Sequence, residues 1–269
     1  MTLQTGFIGL GSQGGPMAER MLAEGFPLMV WARRAEALEP FVAQGATTAE
    51  SIAALGSACD HVGLCVVDDA GVAAVCDDLI PAMKPGSLLA VHSTILPESC
   101  EALEKRCADR GVLFLDAPVS GGGQGAAAKT LTVMCGGSPE ALAQARPVFE
   151  SFAGLLVHLG PAGAGQRAKI VNNTLLAANM GLAQAALGAG EALGIEGKAL
   201  AELIKASSGR SYGLEIFARL RSPAAFALGA PLLAKDTNLL RDILPGHWGA
   251  ETLRDAAERF LSEATGKPL

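Results

Sequence analysis

Aromatic residues are scarce in this chain of 269 residues, 4% in all with one Tyr and two Trp, so its core is not built around large rings. Charged residues are few as well, at 18%, while half of the chain is apolar and 33 residues are glycine. Helices and strands must then pack closely on Ala, Val and Leu, which suits an α/β protein. No block of basic residues occurs and the net charge is -6. That balance speaks against a nucleic acid or an anionic membrane as partner and leaves a small molecule.

The six cysteines, Cys59, Cys65, Cys76, Cys100, Cys107 and Cys135, include no CxxC pair, and the opening residues do not resemble a secretory signal. They read as reduced thiols of a cytoplasmic protein. Four scattered histidines, none in HExxH spacing, offer no metal site. A long apolar run from Thr174 to Gly190 is broken by Asn179, Gln184 and several glycines, which argues against a membrane span. Internal repeats and low-complexity segments are also missing.

What is present is an alternation. Short apolar runs at Gly6–Ile8, Leu28–Trp31, Val62–Val67, Leu88–Val91, Val112–Leu115, Leu131–Cys135 and Leu155–Leu159 are separated by helical patterns. One of these, Pro139–Phe152, opens on Ser138 as N-cap with Pro139 at the first helical position. Such alternation predicts βαβ units and a mainly parallel, doubly wound sheet. From Gly165 onward no strand is expected. Arg167–Leu193 reads as one long Ala/Leu helix, apolar on most sides and therefore expected to be buried between domains or against a second subunit. The predicted division is a nucleotide-binding domain over 1–162 and a smaller all-helical domain over 163–269.

Gly9-Leu10-Gly11-Ser12-Gln13-Gly14 is a GxGxxG that follows a strand and opens a helix. Glycine is required there by the tight turn and by close approach of the backbone to a pyrophosphate, which the helix N-terminus then binds. Gly9, Leu10, Gly11, Gln13 and Gly14 are therefore cofactor candidates, with Val67 at the end of the third run. An NAD site usually presents a carboxylate to the ribose after the second strand. Here Ala32, Arg33 and Arg34 follow it. Two guanidiniums suit the 2′-phosphate of NADP, the alternative being a solvated pair at a strand end.

Three further strings carry polar chemistry. Asp116-Ala117-Pro118-Val119-Ser120-Gly121-Gly122 follows a strand of the same sheet and offers a hydroxyl and two glycine N–H groups to a carboxylate. Lys169, Asn172 and Asn173 stand at i, i+3 and i+4, on one helix face. Lys235-Asp236, with Leu239, adds a polar pair on a later helix.

With these strings the chain resembles the β-hydroxyacid dehydrogenase family, typified by 3-hydroxyisobutyrate dehydrogenase and tartronate semialdehyde reductase. The likeness covers nearly the whole chain: GFIGLG at Gly6–Gly11, Ser93-Thr94-Ile95, DAPVSGG at Asp116–Gly122, GxGxxxKxxNN at Gly163–Asn173 and KDxxL at Lys235–Leu239. It implies a Rossmann-like domain joined by a long helix to an all-α domain that helps form a homodimer or homotetramer. It also implies that Lys169 is the catalytic lysine and Asn173 a substrate-binding asparagine. Ser120, Gly121 and Gly122 would hold the substrate carboxylate, Thr94 would lie near the nicotinamide ribose, and Lys235 would lie on the cofactor side. The chain departs from the family pattern at Gln13, usually Met, at His92, often Asp, at Lys129, usually Gly, and at Ala32, commonly Asn. The segment after Asp236 is shorter than usual, so the identity of the substrate is the least constrained part.

The implied chemistry is hydride transfer between a nicotinamide, NADP or NAD, and a small 3-hydroxy acid or semialdehyde, with a positioned base that takes the hydroxyl proton. A lysine fills that role near neutral pH if its surroundings lower its affinity for the proton below that of free lysine, whose pKa is about 10.4. His92 reads as a polar residue at the sheet edge. Two other readings are an imine reductase or another reductase of the superfamily, and a cofactor-binding module without catalysis. Lys169 counts against the first, and Lys169 with Asn173 and Ser120 against the second.

Overall fold

The computed structural model describes residues 3–269. The chain falls into two compact units, the first running to Lys169 and the second from Ile170 to Leu269.

The first unit follows the predicted alternation: β1 (Thr5–Ile8), α1 (Gly14–Ala23), β2 (Leu28–Trp31), α2 (Glu39–Val42), β3 (Thr47–Thr48), α3 (Ile52–Ala58), β4 (His61–Leu64), α4 (Asp69–Ala82), β5 (Leu88–Val91), α5 (Pro97–Ala108), β6 (Leu113–Asp116), β7 (Val119–Ser120), α6 (Gly122–Ala127), β8 (Leu131–Gly137), α7 (Pro139–Phe149) and β9 (Ala153–Gly160). The strands form one sheet in the order β3-β2-β1-β4-β5-β6-β8-β7, with β9 on β8. Pairing is parallel from β3 to β6, whereas β8 runs antiparallel to β6 and β7. The winding reverses between β1 and β4, and ligands of such sheets bind beyond the strand ends at that reversal.

Successive side chains of a strand point to opposite faces. Phe7 therefore packs with Met17, Met21 and Phe149 on one side of the sheet, and its neighbour Ile8 with Leu55, Leu79 and Leu103 on the other. Burying each such side chain contributes about 1.5–3 kcal/mol, and the two layers make the doubly wound arrangement. Helix starts are fixed locally. Ser138 accepts from the N–H of Ala141, as expected of an N-cap, and Ser51 and Asp68 cap α3 and α4 in the same way.

The structure departs from the sequence reading at several places. The run Val62–Val67 was expected to be strand throughout, but pairing ends at Leu64, and the chain turns so that Val66 N–H reaches Ser93 Oγ. α7 stops at Phe149 rather than Phe152, because Ser151 and Phe152 close short turns onto Val148 and Phe149. β3 and β7 were not foreseen; two residues each leave no apolar run to read. His92 is not at the sheet edge. It follows the central strand β5, is 3% exposed, and lies among Phe7, Phe149 and Phe152.

A helix α8 (Ala164–Ala192) begins in the first unit and continues into the second, which adds α9 (Gly197–Lys205), α10 (Tyr212–Leu220), α11 (Ala230–Ile243) and α12 (Trp248–Thr265). No strand occurs among the described residues of the second unit. Its core joins Ala177, Met180 and Ala183 of α8 to Leu214, Phe217, Phe260 and Leu261. Within the single chain α8 is buried on this side, while Val171, Leu175 and Leu182 are 46%, 46% and 57% exposed. Among the described residues no helix is long and apolar enough to cross a membrane, and the six cysteines are free thiols.

Candidate active site

The turn after β1 is shaped by the absence of side chains. At Gly9, with φ of 98°, a Cβ would lie 2.0 Å from the carbonyl oxygen of Cys65. At Gly11 a Cβ would meet nothing within 4 Å, so the backbone there faces open space. α1 then starts without a capping side chain and with no acidic residue in its first turn. Its leading N–H groups suit an anion, and a dinucleotide pyrophosphate fits this cradle. Gln13 lies in the turn with its Nε2 buried and without a hydrogen-bond partner among the described residues, while Leu10 packs against the core. Beyond β2, Ala32 is half-buried and Arg33 and Arg34 are exposed. Neither arginine has an ion-pair partner among the described residues.

Two loops follow β4 and β5. Val67 is 74% exposed. Its neighbour Val66 donates its N–H to Ser93 Oγ at 2.8 Å, and Thr94 is half-buried beside Ser93. The segment 93–95 is gripped from α8: Gln166 Nε2 donates to the Ser93 carbonyl at 2.8 Å and Gln166 Oε1 accepts the Ile95 N–H at 3.2 Å.

The segment after β6 meets α8 at two points. Asp116, fully buried, accepts the N–H of Gly163 at 2.7 Å and of Gln166 at 2.8 Å. It thereby caps a helix that has no acidic residue in its own first turn. The fit is close, since a Cβ at Gly165 would lie 2.7 Å from Asp116 Oδ2 and 2.3 Å from the Met134 carbonyl oxygen. Burial pushes the Asp116 carboxyl above its usual range, and the two main-chain N–H groups oppose that shift. One turn further along α8, Lys169 Nζ donates to the Val119 carbonyl at 2.7 Å. Ser120, half-buried, comes next in the chain, followed by exposed Gly121 and Gly122 at φ of 128° and 65°. His92 supports the same segment, its Nδ1 lying 2.8 Å from the Ala117 carbonyl. That contact makes Nδ1 the protonated nitrogen of a neutral ring. Burial holds the proton affinity of His92 down to about 4.

In the second unit Asn173, 8% exposed, donates from Nδ2 to Asp236 Oδ2 at 2.7 Å. Lys235 Nζ lies 3.7 Å from Asp236 Oδ1, and Asn172 Nδ2 donates to Asn173 Oδ1 at 3.3 Å. The KDxxL and NN strings are thus neighbours here. Lys169 likewise reaches Val119, the residue before the Ser-Gly-Gly segment. Sequence reasoning missed Gln166 and the capping role of Asp116. The signal available was a helix start, Gly165-Gln166, with no local acidic or hydroxyl cap.

The model of the NAD-binding domain of 6-phosphogluconate dehydrogenase matches residues 4–160. A second, the NAD-binding domain of NADP-dependent 3-hydroxyisobutyrate dehydrogenase, matches residues 163–265. The chain belongs to the β-hydroxyacid dehydrogenase family. Its relatives within that family include an NAD-dependent L-serine dehydrogenase of Pseudomonas aeruginosa, 40% identical over 258 residues, covering 89% of this chain and 84% of that one. Among solved structures, Mycobacterium tuberculosis 3-hydroxyisobutyrate dehydrogenase with L-serine is similar at a TM-score of 0.87 and 29% identity, covering 100% of this chain and 96% of that one. Psf3 in complex with NADP+ and 2-OPP is similar at 0.81 and 30%, covering 95% and 92%. The chain is an NAD(P)-dependent dehydrogenase acting on the CH–OH group of a small hydroxy acid.

Proposed function

We propose that this enzyme interconverts a small 3-hydroxy acid and its semialdehyde with Lys169 as general acid–base, and that it prefers NADP(H). The observation that carries this reading is the 2.7 Å hydrogen bond from Lys169 Nζ to the Val119 carbonyl, adjoining Ser120, Gly121 and Gly122. When bound, a nicotinamide ring supplies the hydride acceptor or donor. Ser120 and the N–H groups of Gly121 and Gly122 hold the substrate carboxylate. Lys169 takes the hydroxyl proton during oxidation and returns it during reduction. One N–H of its amine stays on Val119, which turns the lone pair away from that carbonyl. Asn173 binds the hydroxyl, its own amide held by Asp236.

On the cofactor side, Gly9, Leu10, Gly11, Gln13 and Gly14 surround the pyrophosphate, Arg33 and Arg34 the 2′-phosphate, and Val67, Thr94 and Lys235 the nicotinamide half. The serine dehydrogenase relative is named NAD-dependent, so the preference for NADP here rests on the arginine pair. L-serine and 3-hydroxyisobutyrate share a carboxylate and a hydroxyl on the β carbon, the pattern these residues suit. Residues 1–162 would bind the cofactor, and 163–269 would serve substrate binding and assembly. The exposed Val171, Leu175 and Leu182 of α8 suit a homodimer or homotetramer.

The test is steady-state oxidation of L-serine, 3-hydroxyisobutyrate and related hydroxy acids, with the matching semialdehydes in reverse and both cofactors. Turnover of at least one pair, lost in Lys169→Ala, is expected. Activity confined to imines, or cofactor binding with no turnover, would overturn the proposal.

A further inference from the structure

Gln166 is fully buried, at 0% exposure, and burying an amide without partners costs roughly 1–3 kcal/mol. An apolar residue would fill the position at less cost unless the amide has work to do. Both of its ends are used, and used on the two sides of one residue: Nε2 donates to the carbonyl of Ser93 and Oε1 accepts the N–H of Ile95, at 2.8 and 3.2 Å. The reverse orientation of the amide would oppose two donors and two acceptors, so the assignment is fixed by the contacts themselves. The main-chain N–H of the same residue is seated on Asp116 Oδ2. One residue thus ties the loop holding Thr94, the end of β6 and the first turn of α8, three positions before Lys169.

We infer that Gln166 is a positioning residue, which clamps the loop bearing Thr94 against the helix that carries Lys169. The inference rests on the reading above that Thr94 serves the nicotinamide half and Lys169 the proton. Hydride and proton must leave one carbinol group in a single geometry, and a misplacement of about 1 Å in such a group costs on the order of 100-fold in rate. The clamp acts on geometry and not on affinity, since Gln166 has no part in the cradle formed by the glycine turn. Ser93 extends it: its hydroxyl accepts the N–H of Val66, so the β4 loop is held in the same chain of contacts.

The test uses Gln166→Met, which keeps length and loses both hydrogen bonds, and Gln166→Glu, which keeps an acceptor for Ile95 but sets a second acceptor against Ser93. In the cofactor-free protein, amide hydrogen exchange at Ile95 should quicken in Gln166→Met while the β1 and β4 amides stay protected. NADPH affinity by fluorescence titration should change by less than about threefold. On an accepted hydroxy acid, kcat should fall roughly 10- to 100-fold with KM nearly constant, and the primary deuterium isotope effect on kcat should rise. Gln166→Glu should fall in the same parameter. A folded Gln166→Met with kcat within about twofold of the wild type would overturn the inference, as would a loss confined to KM or to NADPH affinity. If Gln166→Met does not fold, the split measured on Gln166→Glu decides. Failure of the underlying reading looks different: Lys169→Ala would then keep its turnover while the Gln166 variants still lost theirs.

Discussion

Lys169 and Val119 are joined by a 2.7 Å hydrogen bond from Nζ to the main-chain carbonyl, and this places the end of a flexible side chain beside a main-chain turn fixed by the sheet. Val119 pairs with Val133 of β8, and the turn is further held by His92 at Ala117 and by Asp116 at the start of α8. The lysine is thus held against this turn before any substrate arrives. Pre-organisation of that kind lowers the entropy to be lost on reaching a reactive geometry.

Lys169→Ala should therefore separate binding from turnover. The glycine turn and the arginine pair are untouched, so NADPH affinity by titration should stay within about threefold, while loss of a general acid–base group removes about 10² to 10⁴ in kcat. Lys169→Arg should be comparably poor, because a guanidinium stays protonated and cannot accept the hydroxyl proton. Retention of more than about a tenth of wild-type turnover, on a substrate for which chemistry limits the rate, would remove Lys169 from that role.

The arginine pair offers a test of cofactor choice. Arg33→Ala with Arg34→Ala should weaken NADPH by roughly 10- to 100-fold, since a hydrogen bond to a charged group is worth about 1.5–3 kcal/mol, and should leave NADH within about threefold. Isothermal titration with the two cofactors measures this directly. Equal losses would mean that the pair does not read the phosphate.

Strand–helix alternation and the polar strings were legible because each rests on local pattern: an apolar run, a glycine turn, a face repeated at i and i+4. Strand ends were read less well, as at Val62–Val67, because the end of a strand is decided by what it meets, here Ser93 Oγ. Asp116 illustrates the same limit. Its string reads as a cradle for a carboxylate, but its own carboxylate caps a helix 47 residues away at Gly163, a pairing that no spacing in the sequence announces. Gln166 and His92 were under-read for the same reason, since a buried polar residue acquires its meaning from partners distant in the chain.

Lys129 stands where the family usually has glycine, and its φ is 60°. That left-handed conformation strains a side chain by about 1 kcal/mol relative to glycine. The ion pair of Lys129 with Glu24 is exposed and worth about 0–1 kcal/mol. The two effects nearly cancel, so Lys129→Gly should shift the urea midpoint very little. Lys129→Val, which keeps the strain and removes the ion pair, should lower it clearly. Equal midpoints for the glycine and valine variants would show that the backbone at this position is not under strain.

Acid sensitivity should come from two buried histidines. His61 and His92 are 1% and 3% exposed and edge onto the same Phe149 ring. Burial lowers their pKa values from 6.5 to about 3 and about 4, with the charge of His92 further disfavouring protonation of His61. Well above pH 6.5 both residues are neutral in the folded and the unfolded chain, so they add no slope there. Below it the unfolded chain takes up protons that the folded chain refuses, and stability falls with pH until the folded values are reached. Each histidine contributes up to about 1.4 kcal/mol per pH unit over that window. Asp116 runs the other way: with its folded value raised above 3.8, it is less costly at the acid end. Asp60, its folded value lowered by Lys84 and Gln4, loses its contribution only as pH falls below its unfolded value of 3.8. Because both carboxylates are common to every variant, the histidine share is read as a difference. Urea midpoints of the wild type and of His61→Phe with His92→Asn, followed from pH 7.5 to 4.5, should diverge in slope below pH 6.5, with the variant the flatter. Parallel curves would show that these two rings do not govern acid unfolding.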